Sequence, residues 1–153
     1  MNLCATTKQH IETMMGWVRD RESCSNWGGP KFRFPFTESS FIDDVCWERL
    51  PSYSLVGEDG SLVGFGQYYP REGRCHLARL IISPAYRNQG LGRLLVARLI
   101  ETGCKDLGVT ECSLFVLKHN KVACACYRSV GFKPAACLGE IPELEGCLYM
   151  VRS

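Results

Sequence analysis

The stretch from Leu77 to Ile100 constrains this chain most, because a strand there runs through a glycine turn directly into a helix. Apolar residues at 77 and 80–82 favour a strand, which Pro84 ends. After Gly90 and Gly92 the leucines recur at helical spacing, which predicts an amphipathic helix. The first N–H groups of a helix lack partners and carry partial positive charge, so this junction is predicted to bind an anion such as a phosphate.

The residues around the turn narrow the kind of phosphate site. Arg87 and Arg93 flank the turn and can donate ionic hydrogen bonds to phosphate oxygens. A Walker loop requires Lys and then Ser or Thr after its last glycine, whereas Gly92 is followed by Arg93. A dinucleotide fingerprint requires a third glycine where Leu95 stands, and Glu111, about 20 residues on, would open a strand instead of closing one. The sequence therefore excludes a Walker loop and disfavours a dinucleotide-binding fingerprint.

Composition indicates one ordinary globular domain that spans residues 1–153. The chain has 153 residues, of which 46 % are hydrophobic and 22 % are charged. Its net charge of +2 is small and its basic residues are scattered, which argues against a nucleic-acid partner. No apolar stretch approaches the about 18 residues of a membrane span, and the N-terminus lacks the basic and apolar pattern of a signal peptide. We expect a cytoplasmic protein that does not bind membranes.

Ten cysteines raise the question of disulfides or a metal. No Cys-x-x-Cys pair is present, and the expected cytoplasmic location disfavours disulfides. Cys124 and Cys126 are nearest in sequence, but residues two apart on a helix point to nearly opposite faces. We expect mostly buried, reduced thiols and no metal site.

The order of predicted elements is β-α-α-β-β-β-α-β-α-β-β, with Asp59 and Gly60 forming a hairpin turn and 23–35 forming a loop. The strand–helix–strand unit over 74–117 implies one parallel pair in a mostly antiparallel sheet, so the predicted fold class is α+β, or mixed α/β. The predicted helices cover 7–22, 37–49, 90–105 and 120–130. The predicted strands cover 2–6, 53–57, 62–69, 74–83, 110–117, 132–138 and 147–151.

Two stretches of the chain resemble the Gcn5-related N-acetyltransferase (GNAT) family. Leu80–Arg93, with Arg87-x-x-Gly90-x-Gly92, resembles the acyl-CoA signature of the family, and Leu114–Phe132 resembles its second cofactor segment. Cys126 departs from the pattern at a position where Leu is common, but a cysteine packs as a small hydrophobe. The element order also agrees with this family, so the resemblance covers nearly the whole chain.

The resemblance implies that acetyl-CoA is the donor. Its pyrophosphate would lie on the turn amides, and its pantetheine would pair with the strand like an additional strand. The Ile82 N–H would polarise the thioester carbonyl. The implied cofactor-binding residues are Leu80, Ile82, Arg87, Gln89, Gly90, Leu91, Gly92, Arg93 and Asn120.

The resemblance also implies direct attack by a neutral amine in a ternary complex, without a covalent enzyme intermediate. Tyr127 would protonate the departing thiolate. His76 is a candidate general base, because an imidazole suits proton transfer near neutral pH. Each residue has a structural alternative: Tyr127 as a packed aromatic ring, His76 as a structural strand residue, and Asn120 as a helix cap.

The acceptor is predicted to be a primary amine on a small molecule or a peptide, and a homodimer is left open. Aromatic residues either line the acceptor pocket or cover the core: Trp27, Phe32, Phe34, Tyr68 and Tyr69. Carboxylates either hold a cationic substrate or lie on a solvated surface: Asp43, Asp44, Glu48 and Glu72. Two alternative functions are an acyltransferase for another acyl chain or an acceptor oxygen, and a non-catalytic CoA-binding module.

Overall fold

A seven-stranded sheet organises the computed structural model, which describes residues 1–137 and 146–153. The strand order is β1-β2-β3-β4-β5-β7-β6, and of the described pairs only β4–β5 is parallel. The mixed α/β class with one parallel pair is therefore confirmed. The strands are β1 Asn2–Ala5, β2 Ser52–Val56, β3 Leu62–Arg71, β4 Arg74–Ile82, β5 Cys112–Leu117, β6 Lys133–Pro134 and β7 Cys147–Arg152.

Helices cover both faces of the sheet. The helices are α1 Lys8–Met15, α2 Arg21–Gly28, α3 Glu38–Val45, α4 Leu91–Leu107 and α5 Lys121–Ser129, and a short 3-10 turn covers Pro84–Tyr86. Side chains of α4 pack with one face of the strands in a core that contains Leu77, Leu99 and Leu114. Side chains of α1 to α3 pack on the other face around Phe41 and Phe65. Strand β3 contributes to both layers, with Val63 in the first core and Phe65 in the second.

The N-terminal third contains one helix more than predicted. The single helix expected over 7–22 is wrong, because α1 ends at Met15 and α2 begins at Arg21. The Asp20 side chain accepts a hydrogen bond from the Ser23 N–H at 2.7 Å and so caps α2. The loop expected from residue 23 is consequently helical as far as Gly28. Asp20 was the available signal, since Asp is a favoured N-cap residue.

The C-terminal part agrees with the prediction more closely. The structure has a helix at 121–129 and a last strand at 147–152, near their predicted positions. The strand expected over 132–138 is shorter and comprises Lys133–Pro134, while Leu138 lies outside the described residues. No helix in the described part of the chain has the length and apolar character to cross a membrane.

Candidate active site

The N-terminus of α4 has the features of an anion site. Gly90 is the N-cap residue and offers no side chain to the first turn, and no acidic residue lies in that turn. The N–H groups of Leu91, Gly92 and Arg93 precede the first intrahelical donor, which is the Leu94 N–H bonded to the Gly90 carbonyl at 3.4 Å. Gln89 and Arg93 are exposed beside them. The turn therefore fits a pyrophosphate, which needs donors and a positive helix end.

Both glycines of the turn leave room for a ligand. Gly90 has a φ of +74°, and a Cβ built there would meet nothing within 4 Å. A Cβ on Gly92 would make only ordinary contacts, at 3.6 Å from Cys126 Sγ and 4.0 Å from Ile82 Cγ1. The protein itself does not fill this space. Gly90 is required by its backbone angle, and packing within the chain does not explain Gly92.

A cleft opens between β4 and β5. Their described pairing begins at Cys75 opposite Cys112 and ends at Leu77 opposite Leu114, although β4 continues to Ile82. Its last five residues therefore have no strand partner on the β5 side within the described chain. This open edge is what the predicted pairing with pantetheine requires.

Ile82 turns its backbone towards the open side of this cleft. The Ser83 N–H donates to the Val63 carbonyl at 2.8 Å, and Gly64 lies opposite Ile82. In an antiparallel pair, neighbouring residues direct their backbone groups to alternate sides. The N–H and C=O of Ile82 therefore point away from β3. Leu80 packs its side chain against the α4 core, so its contribution to a ligand would also come from the backbone.

Arg87 is anchored to the end of β4. Its Nε donates to the Ile82 carbonyl at 3.2 Å, while the residue as a whole is exposed. The sequence predicted a phosphate contact for this side chain. The structure places the guanidinium at the rim between the cleft and the helix turn, and it also gives Arg87 a local role at the strand end.

Helix α5 places Tyr127 and Asn120 near the turn, because Cys126 lies beside Gly92. The Asn120 side chain accepts from the Ala123 N–H at 3.2 Å, so its capping role is present. Tyr127 is half-buried and its ring meets Phe132 edge-on at 6.2 Å. Burial raises the pKa of the Tyr127 hydroxyl, and no described residue hydrogen-bonds it. A protonated, unpaired phenol is suited to proton donation.

His76 is buried on the other side of the sheet from α4. Its Nδ1 lies 2.8 Å from Ser113 Oγ, and its ring lies between Tyr69 at 5.1 Å and Phe115 at 5.0 Å. Burial, with a smaller effect of the Arg71 charge, lowers the pKa of His76 to about 4. The ring is consequently neutral near pH 7, so it can accept a proton, although as a weak base.

The aromatic residues expected at the acceptor site are divided between the two faces. Tyr68 is fully buried on the α4 side and donates to Asp106 Oδ2 at 2.7 Å, so of the two alternatives it is a core residue. Adjacent strand residues point to opposite faces, and this alternation was available from the sequence. Trp27 and Phe32 belong to the core packed around α1 to α3, where Trp27 Nε1 donates to the Arg79 carbonyl at 2.9 Å.

Two of the four candidate carboxylates, Asp44 and Glu72, have close partners within the chain. Asp44 accepts two side-chain hydrogen bonds of 3.0 Å from Arg33, and this pairing lowers the pKa of Asp44. Glu72 lies 3.7 Å from Arg71 and accepts a 3.4 Å hydrogen bond from the Tyr149 hydroxyl. Glu72, Arg71 and Tyr149 therefore form a polar group at one end of the face of the sheet on which His76 lies.

Sequence reasoning missed the residues that surround His76. Ser113 and Phe115 share one face of β5, and the Phe115 ring also contacts Tyr149 at 5.3 Å and the Arg71 guanidinium at 5.0 Å. Period-two alternation places Ser113 and Phe115 on one face, but only the β4–β5 register brings Ser113 opposite His76.

Known proteins match both the sequence and the fold. The sequence profile of the acetyltransferase (GNAT) family matches residues 21–132. The chain is 31 % identical over 102 residues to the ribosomal protein bS18 alanine N-acetyltransferase of Escherichia coli, covering 67 % of each protein. It is 32 % identical over 118 residues to the thialysine N-epsilon-acetyltransferase of Sus scrofa, covering 72 % of this chain and 64 % of the relative.

Spermidine N-acetyltransferase from Vibrio cholerae, solved with CoA and spermine, has a similar fold. The TM-score is 0.76 at 17 % identity, and the match covers 98 % of this chain and 93 % of the other. The profile match spans most of the sequence and includes both the α4 turn and the whole of α5. The chain therefore belongs to the acetyltransferase (GNAT) family and is an acetyl-CoA-dependent N-acetyltransferase.

Proposed function

We propose that this enzyme transfers an acetyl group to a primary amine by direct attack of the amine on bound acetyl-CoA. One observation carries the proposal: the uncapped N-terminus of α4 follows, after one short 3-10 turn, the edge of β4 that has no strand partner on the β5 side within the described residues. Donors for a pyrophosphate and a backbone edge for pantetheine therefore lie on one continuous segment. A single extended ligand with an anionic end fits both.

The thioester would lie in the cleft, with Ile82 as the oxyanion donor. An N–H directed into the cleft stabilises the negative charge that develops on the carbonyl oxygen during attack. The amine nitrogen forms a bond to the carbonyl carbon, the carbon–sulfur bond breaks, and the thiolate leaves. Tyr127 supplies a proton to that sulfur. The amine must lose a proton, and the neutral ring of His76 is the proposed acceptor through a chain of waters, because His76 lies about 20 Å from Ile82 along β4.

The acceptor is proposed to be an amine on a peptide or on a small molecule. The relatives named above carry both kinds of acceptor in their names, an alanine of a ribosomal protein and thialysine. The face around His76 is lined by aromatic rings of Tyr69 and Phe115 with the cation of Arg71 beside them. Because Arg71 is paired with Glu72 at 3.7 Å, the aromatic rings are the feature of this face that bears on the acceptor, and they suit an amine that carries an apolar group.

The test is a matrix of acyl donors and amine acceptors, with free thiol followed as the product. Acetyl-CoA, propionyl-CoA and butyryl-CoA are each combined with peptides bearing a free N-terminus, amino acids, polyamines and aminoglycosides. Thiol release with acetyl-CoA and an amine, with the acetylated amine identified by mass, supports the proposal. Turnover only with a longer acyl chain or with an alcohol would instead favour the alternative acyltransferase.

The non-catalytic CoA-binding module is the remaining alternative. It predicts tight acetyl-CoA binding without acceptor-dependent thiol release anywhere in the matrix. The single catalytic domain over residues 1–153, the cytoplasmic location and a homodimer remain predictions. Sedimentation of the purified chain with and without acetyl-CoA tests the homodimer.

A further inference from the structure

Three cysteines from separate parts of the chain come together behind the cleft. Cys75 is in β4, Cys104 is in α4 and Cys112 begins β5, and their three Sγ atoms all lie within 4.8 Å of one another. The sulfurs of Cys104 and Cys112 are 3.2 Å apart. Cys75 and Cys112 are buried, whereas Cys104 is half-buried. Among the residues that the structure describes, this is the one group of three potential metal ligands.

The surroundings leave room for these sulfurs on the α4 side. A Cβ built on Gly103 would lie 2.5 Å from Cys75 Sγ, so the helix has a glycine where any side chain would press into the cluster. A glycine inside a helix costs about 1 kcal/mol relative to alanine, and the close approach of Cys75 and Tyr68 explains its presence. The half-buried Cys104 gives the cluster a route to solvent.

One cation lies beside the cluster. Arg152 is opposite Cys112 in the β5–β7 register. Burial raises the pKa of Cys104 to about 11, and hydrogen bonding with Cys75 raises the pKa of Cys112, while the charge of Arg152 acts in the opposite direction on both thiols. Arg152 is therefore positioned to offset negative charge that forms on these sulfurs.

We propose that Cys75, Cys104 and Cys112 form a binding site for a monovalent copper ion on the α4 face of the sheet, opposite the face on which His76 lies. Soft thiolate ligands select Cu(I), zinc or iron–sulfur clusters. Structural zinc takes four protein ligands, and cubane or binuclear clusters also take four. Three clustered sulfurs without a fourth ligand group in the described residues match Cu(I), and a zinc ion held by three protein ligands and one water is the competing occupant that the test below separates.

The geometry and the charge both fit this ion. With metal–sulfur bonds of about 2.3 Å, as for thiolates on zinc, three sulfurs around one ion are about 4 Å apart, so the present positions need only small shifts. On binding, each of the three thiols releases its proton to solvent. Three thiolates and one Cu(I) carry a net charge of −2, which Arg152 partly offsets.

The test measures copper binding to the reduced, full-length protein under anaerobic conditions. Cu(I) is supplied as its bicinchoninate complex, and transfer to the protein is followed by loss of the complex's absorbance. The parent is compared with Cys104→Ser and Cys112→Ser, which keep the side-chain size and remove one sulfur. Cys24→Ser is the matched control, because Cys24 is buried in the separate core around α1 to α3.

We expect the parent and Cys24→Ser to bind one Cu(I) with equal affinity. Each cluster variant should bind at least about tenfold more weakly, since even loss of an outer-shell partner costs 10- to 100-fold. If Cys112→Ser does not fold by circular dichroism, the half-buried Cys104→Ser decides. Equal copper uptake by all four proteins would overturn the proposal, and so would tighter binding of zinc than of copper by the parent. Acetyl-transfer activity is not part of this readout, so the result is independent of the proposed function.

Discussion

The buried His76 is expected to make the fold sensitive to acid. Its pKa is 6.5 when exposed and about 4 in the fold, so the unfolded chain binds a proton that the folded chain does not. Because the folded pKa is depressed, this contribution to stability is fully present above pH 6.5 and is lost as the pH falls from 6.5 to 4. At about 1.4 kcal/mol per pH unit the total loss is about 3 kcal/mol.

The variant His76→Phe isolates this effect. Phenylalanine retains an aromatic ring between Tyr69 and Phe115 and removes the titrating group, and the loss of the Ser113 hydrogen bond adds a cost of about 1 kcal/mol that does not depend on pH. The free energy of unfolding is measured with urea at intervals from pH 4 to 7.5. Carboxylates with lowered pKa values, such as Asp44, also titrate in acid, but they are common to both proteins and cancel in the comparison.

The stability of the parent should fall by about 3 kcal/mol more than that of His76→Phe across this range. His119→Asn, at an exposed histidine, should follow the parent. Parallel curves for the parent and His76→Phe would refute the reasoning, because they would mean that His76 is equally easy to protonate in both states. If His76 is also the general base, kcat/KM of the parent should fall at low pH with a midpoint near pH 4, and this fall should be absent in His76→Ala.

Three further predictions concern the donor. Acetyl-CoA at about 100 times its Kd should add about 2.7 kcal/mol to the free energy of unfolding and raise Tm by about 5–11 °C. An unchanged Tm at measured saturation would contradict the proposal that acetyl-CoA binds in the cleft between β4 and β5. Gly90→Val should abolish acetyl-CoA binding while the circular dichroism spectrum is retained. Gly60, in the β2–β3 turn, has a similarly positive φ and equally open space around it, so the control variant Gly60→Val should bind acetyl-CoA normally. Tyr127→Phe should lower kcat by about 10- to 100-fold, and by less at high pH, while the affinity for acetyl-CoA and the edge-on packing on Phe132 are retained. The control variant Tyr53→Phe should keep the kcat of the parent. A parental kcat in Tyr127→Phe would mean that another group protonates the thiolate.

Local signals in the sequence were sufficient to predict the strand end, the turn and the helix that form the proposed acetyl-CoA site. Pro84, Gly90 and the leucines after it define a strand end, a turn and a helix through interactions between near neighbours along the chain. Asp59 and Gly60 likewise specified the β2–β3 hairpin, and Asn120 specified a helix start. A helix N-terminus binds anions through its own backbone, so the chemistry of this segment required no knowledge of distant contacts.

The acceptor side and the thiol cluster depend on contacts between residues far apart in sequence. His76 gains Ser113 and Cys75 meets Cys112 only through the register of the parallel pair, which a crossover through α4 brings together. The periodicity of each strand predicts which face a side chain occupies, but it does not predict which residue lies opposite. The depressed pKa of His76 has the same origin, because desolvation comes from the rings that the folded sheet places around it.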